Sequence, residues 1–127
     1  MLNCVLIAIG SALGGVARYG LSCAVVSRIG REFPWDTLIV NVTGSFLIGV
    51  FSAVAPMEGR WFYNTYARNC FMIGICGGYT TFSSFSLQTL SLAQNGRWLC
   101  AFVNAALSLE LCFASVWLGT VAAGRCE

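Results

Sequence analysis

The stretch Gly74-Ile75-Cys76-Gly77-Gly78-Tyr79-Thr80-Thr81-Phe82-Ser83-Ser84-Phe85-Ser86 decides how this chain folds. It carries three glycines, then a dense run of hydroxyls punctuated by Phe82 and Phe85. Glycine costs a helix about 1 kcal/mol relative to alanine, so the stretch is poor material for an uninterrupted helix. Yet it lies inside an apolar segment, about Cys70 to Leu92, that is long enough to cross a bilayer. In lipid, opened backbone survives only where protein or a water-filled cavity satisfies its polar groups. A membrane helix broken here is therefore a candidate ion or substrate site.

The rest of the chain supplies the membrane setting. It has 127 residues, 57% hydrophobic and 9% charged, with a mean hydropathy of +0.76. Soluble domains carry about 25% charged residues, so this composition reads as an integral membrane protein. There are no histidines, which removes histidine metal sites, Ser-His-Asp triads and Cys-His nucleophiles together. No nucleotide-binding loop is present, so an ATP-driven pump is not expected; no enzyme is expected either. A net charge of +2 with scattered arginines offers no nucleic-acid footprint. The seven cysteines are odd in number and show no CxxC spacing. Within apolar segments they act as small hydrophobes, and a disulfide framework is not expected.

Working outward from the glycine-rich stretch, four segments are long enough to span, each needing about 20 residues for a hydrocarbon core of about 30 Å. They run about Val5 to Val26, Thr37 to Ala55, Cys70 to Leu92 and Trp98 to Ala123. The first lacks the basic start of a signal peptide and a clear cleavage site, and reads as a retained helix. Trp61, Tyr63 and Tyr66 read as interfacial aromatics in the loop before the third segment. No linker or second domain is visible, so residues 1–127 are expected to form a single four-helix transmembrane domain. With four spans both termini share a side. Arg60, Arg68 and Arg125 then fall on that side, against Arg28, Arg31 and Arg97 on the other. The positive-inside rule orients a chain through a bias in such residues. This balance leaves two readings: insertion in both orientations, or one orientation fixed weakly by Arg18 or the amino terminus. Gly10-x-x-x-Gly14 and Gly74-x-x-x-Gly78 are spaced for close helix packing.

Inside the spans, Thr37, Asn41, Gly44 and Ser45 share one helix face. The Asn41 amide is costly against lipid and should face protein or water. It bridges two helices or donates to an anion, and the sequence does not choose. Asn104, Ser108, Cys112 and Ser115 form a second face of hydrogen-bond donors, able to glue helices or to solvate an anion without trapping it. Glu110 is the one carboxylate within these four segments and points about 120° or more from that face. Arg18 is the one cation inside a span; it draws anions toward a vestibule or snorkels to the interface. Phe82 and Phe85 share a face just after the break. Aromatic rings have positive edges, so they can line an anion path or simply pack. The break frees backbone carbonyls, good ligands for a hard monovalent cation, and starts a half-helix whose positive end favours anions.

Read together, these residues resemble the small bacterial fluoride channels of the Fluc (CrcB) family. The resemblance covers nearly the whole chain. It rests on Gly14-Gly15-Val16-Ala17-Arg18-Tyr19, on Thr37-Leu38-Ile39-Val40-Asn41-Val42-Thr43-Gly44 with Gly49, and most specifically on Gly74 to Ser86. It implies an all-α membrane protein of four transmembrane helices, the third broken mid-membrane, assembled as an antiparallel dual-topology homodimer in the bacterial cell (inner) membrane. The implied activity is passive export of cytoplasmic fluoride through two pores per dimer. The resemblance assigns Gly77 and Thr80 carbonyls of both subunits to a central structural sodium ion. It assigns Phe82 and Phe85 ring edges, with Asn41, to fluoride. Thr81, Ser83 and Ser84 are expected to add hydroxyls, and Asn104, Ser108 and Cys112 to form the fourth-helix polar track. Arg18 and Thr37 are expected near the aqueous vestibule. Two departures stand out. Gln88 replaces a common glutamate, and Asn104 and Cys112 stand where tyrosine and serine are frequent.

Two other classes fit the chain less well. A proton-coupled small multidrug exporter shares the size and ambiguous orientation but depends on a first-span glutamate, and this first span has no acid. A non-transporting assembly protein would leave the glycine-rich break without a purpose.

Overall fold

The computed structural model describes residues 1–54 and 64–124. The expected loop features Glu58, Arg60, Trp61 and Tyr63, the stop at Pro56, and Arg125 and Cys126 lie outside the described residues. The fold is built from α1 (Leu2–Ile29), α2 (Trp35–Val54), α3 (Thr65–Asn69), a π-helical stretch (Cys70–Cys76), α4 (Gly77–Tyr79), α5 (Phe82–Gln94) and α6 (Trp98–Ala122). Four helical spans, Leu2–Ile29, Trp35–Val54, Thr65–Gln94 and Trp98–Ala122, are long and apolar enough to cross a membrane.

Their ends follow local chemistry and overrun the apolar runs. Helix α1 continues through Ser27 and Arg28 and stops at Gly30, whose φ of 92° suits only glycine without strain. Helix α2 starts two residues before Thr37 and so takes Asp36 into its first turn, where a carboxylate opposes the positive helix end. The third span begins five residues before Cys70, because the Asn64 side chain accepts a hydrogen bond from Tyr66 N at 2.9 Å and caps α3.

Packing is set by small residues. Helix α1 lies against the π stretch and α4, and α2 lies against α6. At the first crossing, the two glycine pairs read from the sequence face each other. A Cβ on Gly78 would stand 2.8 Å from Ser11 Cα, and one on Gly74 would stand 3.0 Å from the Ile7 carbonyl oxygen. At the second, a Cβ on Gly119 would stand 2.9 Å from Val50 N. Without glycine these backbones could not approach so closely. Phe51 stacks on Phe71 with ring centroids 3.5 Å apart, which ties α2 to the π stretch. The buried apolar core is thin, and large side chains such as Phe102, Phe113 and Trp117 point outward. That is the inverse of a soluble fold and suits a surface solvated by lipid or by another subunit.

Candidate functional site

The site is organised where regular helix gives way within the third span. Helical backbone ends at Tyr79 and resumes at Phe82, while Thr80 (φ −76°, ψ 155°) and Thr81 (φ −150°, ψ 108°) are extended. In a continuous helix Thr81 N–H would close onto the Gly77 carbonyl. Here it donates to Asn41 Oδ1 at 2.8 Å, and Asn41 Nδ2 donates to the Thr81 carbonyl at 3.1 Å. One carboxamide thus serves both backbone groups of residue 81. The Thr81 hydroxyl accepts from Ser84 N at 3.2 Å, which caps α5, and donates to Ser84 Oγ at 3.0 Å. Its oxygen also lies 3.2 Å from Ser83 Oγ. On the other side, Thr80 N and Thr80 Oγ1 each donate to the Cys76 carbonyl at 2.9 Å and close α4.

Beside these residues lies a cavity of about 340 Å³ between α2, the third span and α6. Asn41, Ser45, Thr80, Thr81, Ser108 and Cys112 give it polar groups, and Phe82 and Phe85 an aromatic edge. Among the described residues, no charged side chain lines it. The two rings lie 5.3 Å apart, centroid to centroid, and are tilted by 49°. Phe82 is 73% exposed on the single chain, so packing within the chain does not account for it.

Several expected site residues stand elsewhere. Asn104 is 1% exposed and donates from Nδ2 to Thr89 Oγ1 at 2.8 Å; Thr89 in turn donates to the Phe85 carbonyl at 2.7 Å. Asn104 therefore ties α6 to the helix that carries the phenylalanines. Ser83 and Ser84 do not line the cavity and hold Thr81 from behind. Thr37 is buried and Arg18 half-buried, and neither lines this cavity. Gly77 does line it and is exposed on the single chain. Met72 and Cys76 also line it and were missed in the sequence. Their spacing with Thr80, i, i+4 and i+8, was the available signal.

A second cavity, of about 760 Å³, opens where residues 31–36 meet the later halves of α1 and α5. Arg31, Glu32, Asp36, Asn95 and Arg97 line it, and Arg97 Nη1 donates to the Glu32 carbonyl at 2.5 Å. Gln88 lines the same space with its buried Oε1 unpartnered among the described residues. Arg18 and Thr37 are absent from this lining too.

Comparison with known proteins shows the family. The family described as CrcB-like protein, Camphor Resistance (CrcB), matches residues 5–120. A protein of Paramagnetospirillum magneticum named fluoride-specific ion channel FluC is 53% identical over 123 residues, covering 97% of this chain and 96% of that one. The protein of the same name from Rhodospirillum rubrum is 51% identical, covering 92% of this chain and 91% of its own. A third, from Methylocella silvestris, is 52% identical over 92% of this chain and 89% of its own. On the family match and on likeness along nearly its whole length, this chain belongs to the CrcB family.

Proposed function

We propose that this chain is a passive, fluoride-selective channel in a bacterial membrane, and a conduit rather than an enzyme. The observation that carries the reading is the uncharged cavity edged by Phe82 and Phe85 and floored by Thr81, Ser108 and Cys112, in a chain about half identical to proteins named fluoride-specific channels. Fluoride holds its water tightly, so a pore must offer several donors yet bind weakly enough to release. Hydroxyls, a thiol and positive ring edges meet both demands, whereas a lining arginine would trap the ion. Asn41 spends one amide hydrogen on Thr81 and has a second free for an anion. Asn104, Ser83 and Ser84 act from behind, holding the phenylalanine helix and Thr81 in place. Arg18 and Thr37 belong to the approach rather than to the narrow path.

The working unit is an antiparallel, dual-topology homodimer with two pores, its third helix broken mid-membrane. A two-fold axis pairs the same surface of each subunit, and exposed Gly77 and Phe82 provide such a surface. A structural sodium ion fits at that axis. The Gly77 carbonyl is released when Thr81 N–H turns to Asn41, and the Thr80 carbonyl when Ser84 N–H turns to the Thr81 hydroxyl. Their oxygens from both subunits would hold the ion, which would supply positive charge to offset the opened carbonyls. The exporter alternative gains nothing: Glu110 lines neither cavity.

Efflux from liposomes, followed with a fluoride electrode, tests the reading. Expected is ohmic fluoride efflux that needs no proton gradient and excludes chloride. No fluoride efflux from correctly folded protein would overturn it.

A further inference from the structure

We propose that the same cavity is a binding site for a soft, two-coordinate metal cation of the silver(I) or copper(I) class, and that such an ion closes the pore. Three sulfur-bearing side chains line the cavity: Met72 and Cys76, four positions apart on the third span, and Cys112 on α6. Cys76 is 2% exposed, so its thiol is held within the protein. Thioether and thiolate ligands select soft cations over hard ones. Among the described residues no cluster of three or more histidine, cysteine or acidic side chains exists that could hold a metal such as zinc or calcium. The remaining polar lining is neutral hydroxyl and amide, which competes poorly for a soft ion.

The binding step balances without an oxidant. A thiol S–H bond breaks, a sulfur–silver bond forms, and the proton passes to buffer. The adduct is neutral, so it does not attract fluoride, and it fills part of the cavity beside Thr81 and Phe85. It also removes the Cys112 S–H as a donor. The effect on flux rests on the fluoride reading; the binding itself does not.

The test uses the full chain with Cys4, Cys23, Cys70, Cys100 and Cys126 changed to serine. Purified protein is titrated with silver nitrate in chloride-free buffer, desalted, and its retained silver counted by mass spectrometry. The same protein in liposomes is assayed for fluoride efflux with and without silver. Expected is one silver per chain, efflux slowed at least about tenfold, and recovery on adding dithiothreitol. Cys76→Ser and Cys112→Ser should each lose the retained silver, with block read against each variant's own silver-free efflux. Met72→Leu, a volume-conserving change, keeps both thiols and should weaken silver binding about tenfold if either serine variant fails to fold. Zinc at the same concentration should not be retained. Silver retained unchanged by all three variants, no silver retained by the parent, or zinc retained in its place would each overturn the inference. A parent that retains silver but passes no fluoride even without it would sink the channel reading and leave the metal site standing.

Discussion

Asn41 meets both backbone groups of Thr81 with a single carboxamide, at 2.8 and 3.1 Å, and this defines what its removal should do. Leaving a buried donor or acceptor unpaired costs about 1–3 kcal/mol. Asn41→Ala strips two such groups at once, so it should lower the thermal midpoint in detergent and cut fluoride flux together. Asn41→Asp keeps the acceptor for Thr81 N–H but faces the Thr81 carbonyl with a carboxylate, and it should depress flux further by repelling the anion. A thermal midpoint unmoved by Asn41→Ala would show that the pairing does not hold the third span. The sequence left Asn41 open between bridging and donating. Its partner is backbone forty positions away, and sequence displays side chains, not which main-chain groups lack a ladder. For Phe82 the sequence left lining and packing open, and its exposure on the single chain shows only that packing within this chain does not use it. Phe82→Ile keeps an apolar side chain but loses the ring edge. Flux should fall at least about tenfold, some 1.4 kcal/mol of barrier, with the assembly unchanged by size-exclusion chromatography; undiminished flux would take the ring out of the pathway.

Among the elements, α1 and the third span make the clearest case of sequence spacing becoming contact. A Cβ on Gly14 would press on the Ile75 carbonyl oxygen and stand 2.8 Å from Tyr79 N, whereas Gly15 has nothing within 4 Å. Gly14→Ala should therefore force the helices apart, destabilise the fold by about 1–3 kcal/mol, as overpacking typically does, and disturb the adjoining break through Tyr79. Gly15→Ala should be neutral or gain up to about 1 kcal/mol from helix propensity. Thermal unfolding of both variants in the same detergent checks the contrast, and equal losses would mean the close approach is not what Gly14 serves. The small-xxx-small pairs were visible at once, but which pair met which was not, since spacing marks a face and not its partner. The α2–α6 crossing through Gly49 and Gly119 went unread, because neither glycine has another four positions away. The π-helical register of Cys70–Cys76 was equally hidden. It adds no residue type, only a changed hydrogen-bond spacing, which tertiary packing decides.

At the scale of the molecule, the outward-facing apolar surface and the balance of arginines bear on one question, how the chain sits in its membrane. Four spans were legible from composition and length, since an apolar run of that size has few alternatives. Orientation was not, because a bias of zero is the absence of a signal. Glu110 is exposed on the single chain and lines neither cavity, so Glu110→Gln should leave fluoride efflux and its independence of a proton gradient intact. Proton-coupled transport that vanished in this variant would favour an exporter instead. The dual-topology reading makes a stronger demand. If the working unit is antiparallel, each dimer needs one chain in each orientation, and the near-equal arginine tally is what permits both. Adding lysines to the turn Gln94-Asn95-Gly96 tips that tally and should fix every copy with this turn in the cytoplasm. Such a variant expressed alone should insert, fold its four spans and pass no fluoride, because parallel copies cannot bring their Gly77 and Phe82 surfaces together across a two-fold axis lying in the membrane plane. Co-expression with a copy bearing lysines near the amino terminus, biased the opposite way, should restore efflux. Full activity from the uniformly oriented variant alone would contradict the antiparallel dimer.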